Sequence, residues 1–166
     1  MRTIHIIGRK NQGKTTLLEA LIKDLTQRGF KVGSIKHSSH LHELDTPGKD
    51  SHRHRMAGAK PAAIIAQDLA AIYLPLDASE DPYLRLETHF KGCDFVLIES
   101  HRDYPGRIKV EVWRDELKQP PLAAADASIA AIITDDPIQL STPIWPRNDI
   151  STLTDRLIEL LHRTYD

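Results

Sequence analysis

The residues best suited to chemistry follow the first apolar run of the chain. The segment from Gly8 to Thr15, GRKNQGKT, matches the phosphate-loop pattern G-x-x-x-x-G-K-[ST] at every fixed position. Its glycines allow the backbone to curl so that successive N–H groups face phosphate oxygens, and the start of a helix adds the positive end of its dipole. In this pattern Lys14 reaches the β and γ phosphates and the Thr15 hydroxyl ligates Mg²⁺. We therefore predict a bound Mg-nucleoside triphosphate.

The predicted nucleotide-binding set covers the loop and the first turn of the helix. It consists of Gly8, Arg9, Lys10, Asn11, Gln12, Gly13, Lys14, Thr15 and Thr16. Lys14 is also the first predicted catalytic residue, because its charge would stabilise the phosphates during hydrolysis. A chance match in a glycine-containing turn is the alternative. The flanking sequence argues against it, since an apolar strand precedes the loop and leucines at helical spacing follow it.

Two carboxylates compete for the metal role on a second strand, DFVLIE. Asp94 begins this strand and Glu99 ends it. Ligands of parallel α/β sheets gather at the carboxyl ends of the strands, so Glu99 would lie on the nucleotide side and Asp94 on the far side. We predict Thr15 and Glu99 as the metal-binding pair. A surface residue at the strand end is the alternative for Glu99.

A long polar loop follows the second strand. It spans residues 37–50, and loops of this length in compact domains usually bind or switch. Folded over the γ phosphate, it would place Asp45 near the metal or the attacking water, so Asp45 is the second predicted catalytic residue. A solvated loop explains the same residues equally well.

Histidines are concentrated in and just after this loop. The five are His37, His40, His42, His52 and His54. Imidazoles bind transition metals, which supports a second hypothesis, a nucleotide-gated nickel or zinc metallochaperone GTPase. The spacing argues for a polar loop and a solvent-facing helix instead, because it lacks the i, i+4 pairs of a robust metal site and no cysteine accompanies it.

The nucleotide base cannot be read from the phosphate loop. Guanine recognition often uses an Asp that accepts from the N1–H and N2–H₂ donors, which adenine lacks as a pair. Thr134-Asp135, at the end of a buried strand, could provide this contact, although a strand-terminal turn accounts for both residues as well. Spacing alone leaves GTP and ATP equally open.

Hydrophobic periodicity predicts the elements that position these residues. Buried strands are expected at residues 3–7, 31–36, 94–99 and 128–134, a half-exposed strand at 108–113 and a short strand at 144–145. Helices are expected from Thr15 to about Arg28, at 51–57, at 82–91 and from about Ser151 onward. We predict a P-loop NTPase-like α/β fold, a mostly parallel sheet flanked by helices in three α/β/α layers, as a single domain over residues 1–166.

Composition limits the partners. The 22 Lys and Arg balance 23 Asp and Glu, so no strong positive field is expected for nucleic acid. No apolar run approaches the roughly 20 residues that span a bilayer, and no signal-peptide segment precedes the loop. The single cysteine, Cys93, is expected to pack in the core. A cytoplasmic protein with no nucleic-acid or membrane partner is expected.

Several motifs resemble the molybdopterin-guanine dinucleotide biosynthesis B protein family. The resemblance rests on the phosphate loop with its helix, on Lys36-His37 followed by His40, on the PGKDS segment from Pro47 to Ser51, and on the DFVLIES strand. It extends to about Trp113. Two departures stand out: the family commonly has Glu-Gly at Glu99-Ser100 and Pro-Lys at Arg107-Ile108.

The resemblance implies a GTP-binding adapter, at most a weak GTPase, that assists a molybdenum cofactor guanylyltransferase in attaching GMP to molybdopterin. It implies GTP and Mg²⁺ as cofactors, a homodimer, and contacts with other molybdopterin-pathway proteins. On this basis the residues from Gly8 to Thr16 hold the phosphates, Thr15 and Glu99 hold Mg²⁺, and the loop with Asp45 responds to the nucleotide. A small-molecule kinase is a third hypothesis, although the chain lacks an Arg-rich lid.

Overall fold

A computed structural model describes residues 2–40, 42–77 and 79–165. In chain order its elements are β1 (Thr3–Ile7), α1 (Lys14–Gln27), β2 (Val32–Lys36), α2 (Asp50–Met56), β3 (Ala62–Ile65), β4 (Ala70–Tyr73), α3 (Pro82–Leu86), β5 (Phe95–Glu99), β6 (Ile108–Val112), β7 (Ile129–Ile133), β8 (Ile144–Trp145) and α4 (Ile150–Tyr165). They divide into two compact units, one running to Ser39 and resuming at Phe90, the other spanning His40–His89. The single domain expected over residues 1–166 stays a prediction.

The first unit contains a six-stranded sheet in which all the pairings are parallel. Its strand order is β2-β5-β1-β6-β7-β8. The predicted α/β class, a parallel sheet flanked by helices, is confirmed. Strand β5 lies between β2 and β1, as expected for a strand of four continuous apolar residues. Strands β1 and β2, which α1 connects, are therefore not neighbours. Glu99, at the end of β5, lies beside the loop that follows β1.

Helices α1 and α4 pack on one face of this sheet. Leucines recurring at helical spacing bury one side of each helix: Leu17, Leu18, Leu21 and Leu25 on α1, and Leu153, Leu157 and Leu161 on α4. Asp149 caps α4 by accepting a hydrogen bond from the Thr152 N–H at 3.0 Å. This packing fixes the start of α1, and with it the phosphate loop, against the carboxyl ends of the strands.

The prediction for strand β6 was wrong. Its alternating residues predicted a half-exposed strand, yet all five are buried. The reason is that β6 lies between β1 and β7, and that the fully buried Glu111 accepts hydrogen bonds from the Leu122 and Ala123 N–H groups at 2.7 and 2.9 Å. Burial raises the pKa of Glu111, although these hydrogen bonds oppose the shift.

The second unit contains α2, an antiparallel β3–β4 hairpin and α3. Asp81 caps α3 by accepting a hydrogen bond from the Tyr83 N–H at 2.8 Å. The helix expected over residues 82–91 is shorter, because α3 passes into a 3₁₀ turn over Glu87–Phe90. Among the helices of the described ranges, none has the length and apolar content needed to cross a bilayer.

Candidate functional site

The turn between β1 and α1 has the backbone geometry of an anion-binding loop. Gly8, Asn11 and Gly13 have φ angles of 144°, 65° and 74°. At Gly8 a Cβ atom would collide with the carbonyl oxygen of Val112, so only glycine fits there. The Gly13 carbonyl accepts the first hydrogen bond of α1, from the Leu17 N–H at 3.1 Å. The turn therefore passes directly into a helix N-terminus.

Lys14 lies across this turn. Its Nζ donates to the Arg9 carbonyl oxygen at 2.7 Å, so the ammonium group spans the loop. Burial lowers the pKa of Lys14, and the charge of Glu99 only partly opposes that shift. A partly desolvated cation that has only a carbonyl as its described hydrogen-bond partner is well suited to receive an anionic ligand.

A hydrogen-bonded group forms where α1 begins and β5 and β2 end. It consists of Thr15 on α1, Glu99 on β5 and Lys36 on β2. Glu99 Oε1 accepts from the Thr15 hydroxyl at 2.9 Å and from Lys36 Nζ at 2.6 Å, and the side chain of Glu99 is almost fully buried. Burial would raise the pKa of Glu99, but these hydrogen bonds and the charges of Lys36 and Lys14 outweigh it and hold the pKa below its usual value. Glu99 is thus an ionised carboxylate beside the Thr15 hydroxyl.

Asp94 is at the opposite end of β5. Its carboxylate accepts from the Lys31 N–H at 2.7 Å, which ties the start of β5 to the start of β2. The structure therefore brings Glu99, and not Asp94, to the phosphate loop, as the polarity of a parallel sheet predicts.

The predicted base residues lie at the end of β7 beside a cleft of about 570 Å³. The cleft is lined by Arg114, Asp115, Glu116, Lys118, Asp135, Asp136, Arg147 and Asn148. Thr134 is buried and its hydroxyl accepts from the Asp136 N–H at 3.0 Å. Asp135 Oδ1 accepts from the N–H groups of Arg147 and Asn148, at 2.7 and 3.1 Å. One oxygen of Asp135 therefore holds the loop before α4.

Gln12 joins this cleft to the phosphate loop. It is 2% exposed, and its Nε2 donates to the Arg114 carbonyl oxygen at 3.2 Å. Arg147 makes a second link, since its guanidinium donates to the carbonyl oxygens of Gln12 and Gly13 at 3.1 and 3.0 Å. Arg147 was not predicted from the sequence, because no motif surrounds it and its partners lie more than 130 residues away in the chain.

An aromatic cluster beside Glu99 was also missed. His101 stacks on His37 with ring centroids 3.8 Å apart, and His5 stacks on Tyr104 at 5.5 Å. Burial lowers the pKa of His5 to about 4, so its imidazole is neutral at physiological pH. The one feature of the sequence that pointed to this cluster was His5, a histidine within the otherwise apolar β1.

The departure at Glu99-Ser100 has a structural counterpart. Ser100 and His101 both have positive φ angles, 76° and 63°, a region that favours glycine. The Ser100 N–H donates to the Ile6 carbonyl oxygen at 2.9 Å, which ties this turn to β1. The carboxyl end of β5 thus keeps a backbone conformation natural to glycine while carrying a serine.

Asp45 belongs to the second unit. It is 8% exposed, and its Oδ1 accepts from the Ser51 hydroxyl at 3.0 Å and from the Thr46 N–H at 2.8 Å. Arg55 Nη1 lies 3.7 Å from Asp45 Oδ2. These contacts fasten Asp45, in the loop before α2, to that helix. The catalytic role of Asp45 stays a prediction.

The five histidines are divided between the two units. His37 belongs to the first unit, whereas His40, His42, His52 and His54 belong to the second. Within the part of the chain that the structure describes, no cluster of three or more His, Cys, Asp or Glu side chains could hold a metal ion.

Comparison with known proteins identifies relatives along most of the chain. The family model for Molybdopterin guanine dinucleotide synthesis protein B matches residues 3–135. The Molybdopterin-guanine dinucleotide biosynthesis adapter protein of Escherichia coli K12 is 30% identical over 155 residues, which cover 91% of this chain and 88% of that protein. The protein of the same name from Haemophilus influenzae is 33% identical over 159 residues, covering 95% and 88%.

Solved structures match the fold. The structure of Bacillus subtilis MobB aligns with a TM-score of 0.73 at 24% identity, covering 95% of this chain and 96% of that one. A MobB homologue from Bacillus stearothermophilus aligns with a TM-score of 0.69 at 23% identity, covering 98% and 99%. On the strength of the family model and the two sequence relatives, the chain belongs to the molybdopterin guanine dinucleotide synthesis protein B family.

Proposed function

We propose that this protein is a GTP-binding adapter in the biosynthesis of molybdopterin guanine dinucleotide. The observation that carries the proposal is the phosphate loop of a family member with Lys14 across it and Thr15 hydrogen-bonded to Glu99. The curated relatives bear the name of adapter proteins for this pathway. The metallochaperone hypothesis has no comparable support, since neither the family nor these relatives is named for metal delivery.

Mg²⁺ fits the residues present at the site. A threonine hydroxyl and an ionised carboxylate are hard oxygen ligands, which this cation prefers, and they lie 2.9 Å apart at the start of α1. Thr15 and Glu99 would hold it, directly or through water. Bound there, Mg²⁺ would neutralise charge on the phosphate oxygens.

We propose weak GTP hydrolysis at most. Lys14 would stabilise negative charge on the β and γ phosphates, and the backbone N–H groups of the loop would do the same. Asp45 is the proposed responsive residue of the polar loop. Its support is that a buried carboxylate ties this loop to α2 through Ser51, so a change at one end would be transmitted to the other.

The preference for guanine over adenine is proposed to reside at Thr134 and Asp135. Both follow β7, and Asp135 lines the cleft beside the phosphate loop. Because Asp135 Oδ1 already accepts two backbone hydrogen bonds, its second oxygen is the candidate acceptor for the donors of guanine.

The proposed partner is the guanylyltransferase that attaches GMP to molybdopterin, with other proteins of the pathway as further contacts in the cytoplasm. Immobilised protein is expected to retain the purified transferase, and more of it with Mg-GTP than with Mg-ATP or without nucleotide. Surface plasmon resonance would measure this binding. Retention that is equal in all three conditions would contradict a GTP-dependent adapter.

We also propose a homodimer formed through the β3–β4 hairpin. One face of the hairpin carries only apolar side chains, Ala63, Ile65, Ala70 and Ile72, and all four are exposed. Two-stranded sheets are marginally stable alone, and an exposed apolar sheet face is typical of an interaction site. Two such faces related by a two-fold axis would cover each other.

Replacing Ile65 by lysine is expected to weaken this dimer. Ile65 is 83% exposed in the isolated chain, and losing its burial in an interface would cost about 1.5–3 kcal/mol per protomer. The dissociation constant should therefore rise at least about tenfold. Sedimentation velocity across a concentration series would show this.

The matched control is Leu84→Lys on α3, where the leucine is 60% exposed outside the hairpin. It should leave the dimer intact. A wild-type protein that is monomeric at high concentration, or an Ile65→Lys variant that dimerises as wild type does, would contradict the proposed interface.

A further inference from the structure

Arg147 binds two backbone carbonyl groups of the phosphate loop. It follows β8 and precedes α4, and its guanidinium makes two hydrogen bonds, from Nη1 to the Gln12 carbonyl oxygen at 3.1 Å and from Nη2 to the Gly13 carbonyl oxygen at 3.0 Å. A planar guanidinium with two donors fixes two acceptors in one relative orientation, which a lysine cannot do. Arg147 thus contacts two consecutive peptide groups of the loop, and the Leu17 N–H of α1 also donates to the second of them.

The direction of these carbonyls determines the direction of the neighbouring amides. In a planar trans peptide the C=O and the N–H point to opposite sides. The Gln12 carbonyl shares a peptide with the Gly13 N–H, and the Gly13 carbonyl shares one with the Lys14 N–H. Carbonyls turned toward Arg147 therefore leave both N–H groups facing the other side of the loop.

We infer that Arg147 is a positioning residue that orients the Gly13 and Lys14 amides toward the nucleotide phosphates. The inference rests on the proposed function, since it takes the loop as the phosphate site. Arg147 acts through the backbone and does not contact the phosphates in this role. In phosphate loops these amides cradle the α and β phosphates, so its effect falls on the phosphate chain rather than on the base.

Arg147 is itself held in place. Its own N–H and that of Asn148 donate to Asp135 Oδ1, and Asp149 in the next position caps α4. Gly13 leaves room for the contact, because a Cβ there would collide with the Arg147 guanidinium. The arrangement also connects Asp135, the proposed base residue, to the phosphate loop through a single loop of chain.

The test compares Arg147→Gln with wild type by isothermal titration calorimetry, using GTP, GDP and inorganic tripolyphosphate. Losing both hydrogen bonds would release the two peptide groups, so a loss of at least about tenfold in affinity is expected for GTP, GDP and tripolyphosphate alike. Arg147→Lys keeps the charge but not the paired donors, and should recover only part of the loss. In ¹⁵N spectra the Gly13 and Lys14 amides should respond to tripolyphosphate in wild type and less in Arg147→Gln.

Arg156→Gln is the matched control. Arg156 is on α4, outside the cleft lining, and its guanidinium carbon lies 6.0 Å from the centroid of the Trp145 ring. This variant should bind tripolyphosphate as wild type does. Thermal unfolding would check each fold, and if Arg147→Gln is unstable the same comparison is made with Arg147→Lys.

Unchanged tripolyphosphate affinity in Arg147→Gln would overturn the inference, and if GTP affinity fell alone the arginine would serve the base. In both cases the proposed function would stand, because the wild-type protein would still bind GTP and tripolyphosphate. A wild-type protein that binds neither GTP nor tripolyphosphate would overturn the proposed function together with this inference.

Discussion

Replacing Lys14 by alanine is expected to weaken Mg-GTP binding by about 100-fold, because an ammonium hydrogen-bonded to phosphate contributes about 1.5–3 kcal/mol. Within the described residues, the Lys14 side chain donates one hydrogen bond, to the Arg9 carbonyl oxygen. Removing it should leave the fold nearly as stable as before. Calorimetric titration gives the affinity, and thermal unfolding measures the stability.

Lys10→Ala is the control for this prediction. Lys10 lies in the same loop and carries the same charge, but its side chain is exposed and it stands at a variable position of the motif. Its loss should change the affinity by far less. Wild-type affinity in Lys14→Ala would refute the assignment of the phosphate site.

Glu99→Gln is expected to reduce Mg²⁺-dependent GTP affinity by at least about tenfold, because glutamine keeps the shape of the side chain but loses the charge that attracts the cation. Affinity measured in EDTA should fall much less, since the carboxylate makes no favourable contact with phosphate. The hydrogen bond from the Thr15 hydroxyl can persist to the amide oxygen. Titrations with and without Mg²⁺ separate the two effects.

Asp94→Asn provides the comparison for Glu99→Gln. Asp94 is on the same strand, but its carboxylate binds the Lys31 N–H at the opposite end. It should leave nucleotide binding unchanged in both conditions. Equal losses with and without Mg²⁺ in Glu99→Gln would move the metal role to another residue.

The sequence predicted the parts of the site that depend on local pattern and strand direction. The phosphate loop is contiguous in sequence, so its glycines and Lys14 could be identified without any knowledge of the tertiary structure. Glu99 was placed beside it by one rule, that parallel strands end at the same edge of the sheet. Strand β5 could be predicted because buried parallel strands are continuously apolar.

What the sequence did not reveal depends on contacts between distant segments. Arg147 reaches Gln12 and Gly13 across more than 130 residues of chain, and no spacing rule marks it. The burial of β6 was mispredicted because Glu111 is paired with backbone N–H groups. Every residue except proline has such a group, so the residue types do not reveal the partner. The stacking of His37 on His101 could not be predicted either, because it depends on β2 and β5 being neighbours in the sheet.

A crystal structure with Mg²⁺ and a non-hydrolysable GTP analogue would test the central claim most directly. We expect the triphosphate to lie against the backbone N–H groups of residues 8–16, with the Lys14 ammonium turned from the Arg9 carbonyl to the β and γ phosphates. An analogue bound elsewhere on the protein, or a loop whose amides face away from it, would contradict the account.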